Sequence, residues 1–148
     1  YAAPTPAMLA VAITDMDAAY ADAAQRPVLL SRTNIMPGGV SFNNFTAGVY
    51  KWDSYLTFAG SHFNIVGGQN DIFIFQIASY VTIAASMKAQ LVSDGTGRGV
   101  PQASNIFWQV GGYLVLGASA HLEGTFLVTG YVTFGASSTL NGRVLSIG

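Results

Sequence analysis

Tyr131-Val132-Thr133-Phe134-Gly135-Ala136-Ser137 is the last of four copies of one heptad. The others are Tyr55-Leu56-Thr57-Phe58-Ala59-Gly60-Ser61, Tyr80-Val81-Thr82-Ile83-Ala84-Ala85-Ser86 and Tyr113-Leu114-Val115-Leu116-Gly117-Ala118-Ser119. Their first residues lie 25, 33 and 18 positions apart. Five residues before each Tyr stands another aromatic: Tyr50, Phe75, Trp108 and Phe126. Gln76 and Gln109 match in the column after that. Self-similarity of this kind, with a variable spacer, is the mark of a solenoid whose coils carry loops of different length. The 18-residue unit suits a three-sided coil of short strands, and residues 94–104, with Gly95, Gly97, Gly99 and Pro101, are the obvious insertion.

Alternation along a strand sends Leu56/Phe58, Val81/Ile83, Leu114/Leu116 and Val132/Phe134 inward. A Tyr column (Tyr55, Tyr80, Tyr113, Tyr131) and a Thr/Val column (Thr57, Thr82, Val115, Thr133) then point outward. The strand Ile72-Phe73-Ile74-Phe75-Gln76-Ile77 is apolar on both parities, so both of its faces must be covered. Residues 6–25 supply the cover. Thr5 is a cap, Pro6 suits the first turn, and Leu9, Ile13, Met16 and Tyr20 recur at helical spacing to make one stripe. Asp15 and Asp22 lie off that stripe, and Arg26-Pro27 ends the helix. Residues 27–48, with Pro37-Gly38-Gly39 and Asn43-Asn44, read as loop or irregular strand. The expectation is one mostly β domain over 1–148: a flanking helix at 6–25, a loop at 27–48, and a three-sided β-helix at 49–148.

Composition narrows the function. Charged residues make up 9% of the 148, against about 25% in an ordinary soluble domain, and the net charge is −1. That argues against a nucleic-acid partner, whose phosphates demand a basic surface. No apolar run approaches the ~20 residues of a membrane span. With no cysteine, thiolate metal sites and disulfides are excluded. The sequence at Tyr1 lacks the charged and apolar regions of a secretory leader, so any such leader is expected to have been removed. Hydroxyls, amides and glycines must keep the surface wet, which suits a surface made to meet something neutral.

Catalysis and metal binding find little support. His62 and His121 stand one position out of register in the repeat and are not expected to share a column. His121-Leu122-Glu123 could supply two ligands from one face, but no third is evident. Asp15, Asp17 and Asp22 suit helix solubility, while Asp53, Asp71, Asp94 and Glu123 are scattered without the spacing of a carboxylate pair. Gly95-Thr96-Gly97-Arg98-Gly99 lacks the ending of a phosphate loop. No catalytic residue, metal site or cofactor is therefore expected. Asn44-Phe45-Thr46 is an acceptor sequon, which makes Asn44 a candidate for N-glycosylation.

The segment Asp15-Met16-Asp17-Ala18-Ala19-Tyr20-Ala21-Asp22-Ala23-Ala24-Gln25-Arg26 resembles the helix of the ice-binding protein family of cold-adapted fungi and bacteria. So do Gly48-Val49-Tyr50-Lys51-Trp52, Asp71-Ile72-Phe73-Ile74-Phe75-Gln76-Ile77, Ala103-Ser104-Asn105-Ile106-Phe107-Trp108-Gln109-Val110 and Leu140-Asn141-Gly142-Arg143. Tyr1-Ala2-Ala3-Pro4-Thr5-Pro6 is similar to the fungal branch. The resemblance implies a triangular β-helix with a helix alongside, secretion, and adsorption to ice without a cofactor. Two departures stand against the family pattern. The stretch of β-helix that usually precedes the helix is expected to be missing, and Tyr occupies a column where small hydroxylated residues are usual. The family's Thr-[Ala/Gly]-x-[Thr/Asn] motif finds its nearest match in Thr129-Gly130-Tyr131-Val132, which departs at the last position.

A flat lattice of water calls for a rigid face with methyls and hydroxyls at regular spacing. Thr57, Thr82 and Thr133 in one column, with Ser61, Ser86, Ser119 and Ser137 at the turns, are the candidate ice-binding residues. Thr is equally a good outward strand residue and Ser a good turn residue. The Tyr column has three readings: a stabilising cross-strand ladder, an interface for a partner or a second copy, or a flat site for carbohydrate or another solid. The rival function is a self-associating structural solenoid that forms oligomers or filaments by strand addition at open coil edges and by Tyr-ladder contacts.

Overall fold

The computed structural model describes residues 6–36, 39–41 and 43–147. Residues Pro6–Gln25 form helix α1, and twelve strands follow among the described residues. The Thr5 cap and the Pro37-Gly38 turn lie outside the described residues. The strands are β1 (Asn44–Thr46), β2 (Gly48–Trp52), β3 (Leu56–Phe58), β4 (His62–Gly67), β5 (Phe73–Ile77) and β6 (Val81–Ile83). Then come β7 (Lys88–Ser93), β8 (Ile106–Val110), β9 (Leu114–Leu116), β10 (His121–Val128), β11 (Val132–Phe134) and β12 (Thr139–Ser146). All pairing is parallel, so each coil stacks on the next: a three-sided β-helix with one α-helix, as the repeat predicts.

The first face holds β2, β5, β8 and the C-terminal halves of β10 and β12; the second holds β3, β6, β9 and β11. On the third lie β1, β4, β7 and the N-terminal ends of β10 and β12. Strands β10 and β12 each turn a corner without breaking, at the paired Gly124 and Gly142. Gly124 has φ +113°, and a Cβ there would sit 2.6 Å from the Ile106 carbonyl oxygen, so only glycine fits. The described residues between 27 and 48 make an irregular coil in their own right. Thr33 bridges to Lys51 on the first face, Val40 to Phe58 on the second, and β1 to β4 on the third.

The core is the aromatic column read from the repeat. Tyr50, Phe75, Trp108 and Phe126 pair in register and are buried. Their rings stack at 5.6, 4.0 and 5.1 Å. Leu56, Val81 and Leu114 fill the opposite wall, with Phe58, Ile83 and Leu116 beside them. Fused burial of this kind is what each short coil lacks alone.

α1 lies on the first face, where every residue of β5 is buried, as its double apolar parity requires. Met16 and Ala23 pack with Ile74 and Leu127, and Tyr20, Val49 and Phe107 border the contact. The apolar stripe is only half used. Met16 is 5% exposed, but Leu9 and Ile13 are 50% and 53% exposed. A 20-residue helix is about 30 Å long. Its C-terminal end sits over β5, and the strands from β5 to β12 span only roughly 14 Å. The N-terminal half of α1 therefore overruns the stack, where Leu9 and Ile13 border an open cleft with Val144, Leu145 and Ile147.

Candidate functional site: a flat uncharged face

The second face differs from the other two. It is a four-stranded sheet in strict register: Leu56–Val81–Leu114–Val132, Thr57–Thr82–Val115–Thr133 and Phe58–Ile83–Leu116–Phe134. Adjacent strands lie roughly 4.8 Å apart, so each outward column is a row of like groups at that repeat. The Thr57 and Thr82 hydroxyl oxygens are 2.9 Å apart. Val115 breaks the row of hydroxyls but keeps the branched shape, and Thr133 resumes it. Beside the Thr column runs one of Ala59, Ala84, Gly117 and Gly135, aligned by N–H to carbonyl bonds of 2.8–2.9 Å from Ala84, Gly117 and Gly135. Its smallness keeps this strip low. A Cβ on Gly117 would stand 2.5 Å from the Ala85 nitrogen, and one on Gly135 2.5 Å from the Ala118 nitrogen. The sequence held the signal, since the fifth heptad position is always Ala or Gly.

No residue of the four heptads is charged. The helix covers much of the first face, and the third carries His62, Lys88, His121, Glu123 and an amide ladder in which Asn64 donates to Asn44 at 2.8 Å. The flat, neutral, open face is thus the second.

The Tyr column edges this face. Successive rings of Tyr55, Tyr80, Tyr113 and Tyr131 lie 5.0, 4.6 and 4.9 Å apart and within 6° of parallel. Burial between its neighbours, and then the proximity of Tyr80 and Tyr131, raises the pKa of the Tyr113 phenol.

The expected Ser column divides. Ser86, Ser119 and Ser137 occupy left-handed corners with φ of +63°, +58° and +57°. Ser61 sits elsewhere in its coil. Its carbonyl accepts from Lys88 N–H at 3.0 Å, as the Met87 carbonyl does from His121 and the Ala120 carbonyl from Thr139. The first corner is one residue shorter, because Gly60, at φ +105°, makes the turn. The same missing residue corrects the reading of the histidines. His62, Lys88 and His121 do share a column, with Lys88 between the two rings.

His121 donates or accepts at Thr139 Oγ1 through Nδ1 (2.8 Å) and meets Glu123 Oε1 through Nε2 (2.9 Å). Asn141 donates to the other Glu123 oxygen at 2.8 Å. These bonds satisfy the buried carboxylate. Among the described residues no three His, Asp or Glu side chains converge as metal ligands. The acids are less scattered than their spacing suggests: Arg98 in the insertion pairs with Asp71 at 2.7 Å and also with Asp94. Hydrogen bonds from the Thr96 hydroxyl and N–H hold Asp94 at about 2; those from the Gly68 N–H and then Arg98 lower Asp71. This is a clamp on the 94–104 loop. Asn44 is exposed on β1, and no described helix is long and apolar enough to cross a membrane.

A parallel β-solenoid with one strapped helix and one flat, uncharged face left open is the class of protein these features define. The chain belongs to the ice-binding-like family, whose model matches residues 1–148. It is 37% identical over 127 residues to an ice-binding protein of Lentinula edodes, covering 86% of this chain and 42% of that one. Ice-binding protein K1-A of Typhula ishikariensis is 40% identical over 129 residues, covering 86% and 49%. A glycosylated ice-binding protein from an Arctic yeast superposes with a TM-score of 0.86 at 32% identity, over 99% of this chain and 60% of that one. The family resemblance carried by the helix and by the Asn-Ile-Phe-Trp-Gln-Val run is thereby confirmed. The chain spans about half the length of the curated relatives it matches.

Proposed function

We propose that the protein adsorbs to ice through the flat face of β3, β6, β9 and β11. Thr57, Thr82 and Thr133 are the contacting column, and Ser86, Ser119 and Ser137 flank it. The observation that carries this reading is the register: like groups repeat at one strand spacing across a face without charge. Ice offers no pocket-sized feature and no charge, so such a face meets it with little desolvation of polar groups. The protein acts by adsorption rather than catalysis, needs no cofactor, and works outside the cell, where Asn44 carries an N-glycan. Release of glycan mass from the secreted protein by an endoglycosidase, abolished in Asn44→Gln, checks the last point.

Replacing Thr82 by Lys tests the face. Lysine puts a charge and a long chain at its centre. Thermal hysteresis should fall sharply while far-UV circular dichroism stays β-rich. Unchanged hysteresis in a folded Thr82→Lys protein overturns the assignment.

A second reading concerns partners. Strand β12 pairs with β10 along one side, and the last described coil exposes Phe134 at 47%, where Phe58 in the same column is fully buried. This edge supports association with a second copy. Family membership favours ice binding over self-assembly as the function, so association is a property of the edge rather than the purpose of the fold.

A further inference from the structure

We propose that the phenol hydroxyls of Tyr55, Tyr80, Tyr113 and Tyr131 form a second ice-contacting row, parallel to the Thr column and widening the face. The proposal rests on the flat-face reading and extends it to residues whose chemistry is otherwise that of a structural ladder.

Backbone pairing makes the tyrosines members of the flat face. Leu56, Val81 and Leu114 donate their N–H groups to the carbonyls of Tyr80, Tyr113 and Tyr131 at 3.0, 2.9 and 3.0 Å. Each Tyr stands two residues before the Thr or Val of its strand, so alternation puts both on the same side. The ring geometry then limits what the column can bind. Both faces of Tyr80 and of Tyr113 are already stacked on neighbours. A sugar or a partner's side chain that seeks a ring face finds none along the middle of the ladder. Only edges and hydroxyls remain to be offered.

Those hydroxyls are unspent. Buried tyrosines ordinarily find a partner for the hydroxyl, and Tyr50 does: it accepts from the Thr46 N–H at 3.0 Å and donates to the Thr46 carbonyl at 3.1 Å. Among the described residues the four ladder hydroxyls have no protein hydrogen-bond partner. They line up at the 4.6–5.0 Å repeat of the rings that carry them. Stacking also fixes the rings, so ordering them against a surface costs less side-chain entropy than for free side chains. A rigid, periodic row of unpartnered O–H groups suits a periodic solid of hydroxyl-sized molecules better than a single small ligand.

The test is the double variant Tyr80→Phe/Tyr113→Phe, which keeps all four rings and removes the two central hydroxyls. Thermal hysteresis at equal concentration should fall roughly twofold or more, in keeping with the net worth of two hydrogen bonds. Near-UV circular dichroism and melting temperature should match the parent. Tyr131→Phe, at the exposed end, should give a smaller loss in the same direction and serves if the double variant misfolds. Unchanged or higher hysteresis in the folded Phe variants, with activity still lost in Thr82→Lys, overturns the hydroxyl row and leaves the Thr face standing. If Thr82→Lys also retains full activity, the flat-face reading falls and takes this proposal with it.

Discussion

The side-chain amide of Gln76 donates through Nε2 to the main-chain carbonyl of Ala23 at 2.8 Å, reaching from the outer side of β5 into the last turn of α1. The same nitrogen lies 2.8 Å from the Arg26 carbonyl. A helix leaves its last four carbonyls without partners, and no glycine follows Gln25 to close this one. Gln76, buried on β5, does that work and ties the helix to the stack. Gln76→Ala strands the Ala23 carbonyl in a dry contact, at about 1–3 kcal/mol. The melting temperature should drop by several degrees, and hydrogen exchange should quicken first in residues 21–26. Unaltered exchange there would mean that the helix end is held by something else.

Packing along the helix should be uneven in the same direction. Met16 fills the contact with Ile74 and Leu127, so Met16→Ala should cost about 2–4 kcal/mol. Ile13→Ala should cost well under half as much, because its side chain is half exposed. Asp17→Ala should stay within ~0.5 kcal/mol, as exposed positions do. Chemical denaturation of the three variants checks the order. Equal and small effects would mean that α1 does not pack on the first face.

Tyr50, Phe75, Trp108 and Phe126 were legible as a column because a solenoid returns the same chemistry to the same place. The heptads were legible for the same reason as far as their fifth residue. Beyond it the corner begins, and corners tolerate a change of length. One residue fewer after Phe58 leaves the inward pattern intact while shifting Ser61 out of the Ser column and His62 into that of His121. Nothing in the residue types marks that slip except Gly60. Helical periodicity, likewise, showed which side of α1 is apolar and not how far the sheet beneath it extends, so Leu9 and Ile13 read like Met16. The choice of face needed the structure, since neutrality had to be judged for whole surfaces.

The insertion clamp should make local stability depend on acid. Hydrogen bonds from Thr96 hold the Asp94 pKa at about 2, and those from Gly68 and Arg98 hold Asp71 below its ordinary 3.8. When the folded pKa is depressed, the unfolded chain takes up protons first. The contribution is complete above the unfolded value, fades as pH falls from around 4 toward 2, and is gone below both values. Both groups are accessible to water, so the effect should be modest and weaken with salt. Protease nicking within 94–104 should therefore rise as the pH is lowered through that window, with an acid-stable protease. In Asp94→Asn nicking should already be faster at neutral pH and change less on acidification. Identical profiles for the two proteins would remove the clamp.

The edge of β12 makes the last prediction. Its eight residues pair with β10, Thr139 with His121 through Ser146 with Val128. Among the described residues no strand pairs with its other side. Its coil leaves apolar side chains open as well: Phe134, which points toward the core, is 47% exposed, and Leu145 and Ile147, on the helix side, are 41% and 50% exposed. Unpaired backbone beside exposed apolar side chains is the usual setting for strand addition. If two copies meet β12 to β12, the contact closes as a dimer; if β12 meets the opposite end of the next molecule, it propagates. The overhanging stripe of Leu9 and Ile13 adjoins this edge, so either contact would bury it too. Light scattering across a wide concentration range should show mass rising above that of one chain. Leu145→Lys, which puts a charge on the edge, should return the protein to monomer without changing its β-rich circular dichroism. A monodisperse monomer at high concentration would remove association. Persistence of the larger species in folded Leu145→Lys would move the contact off this edge.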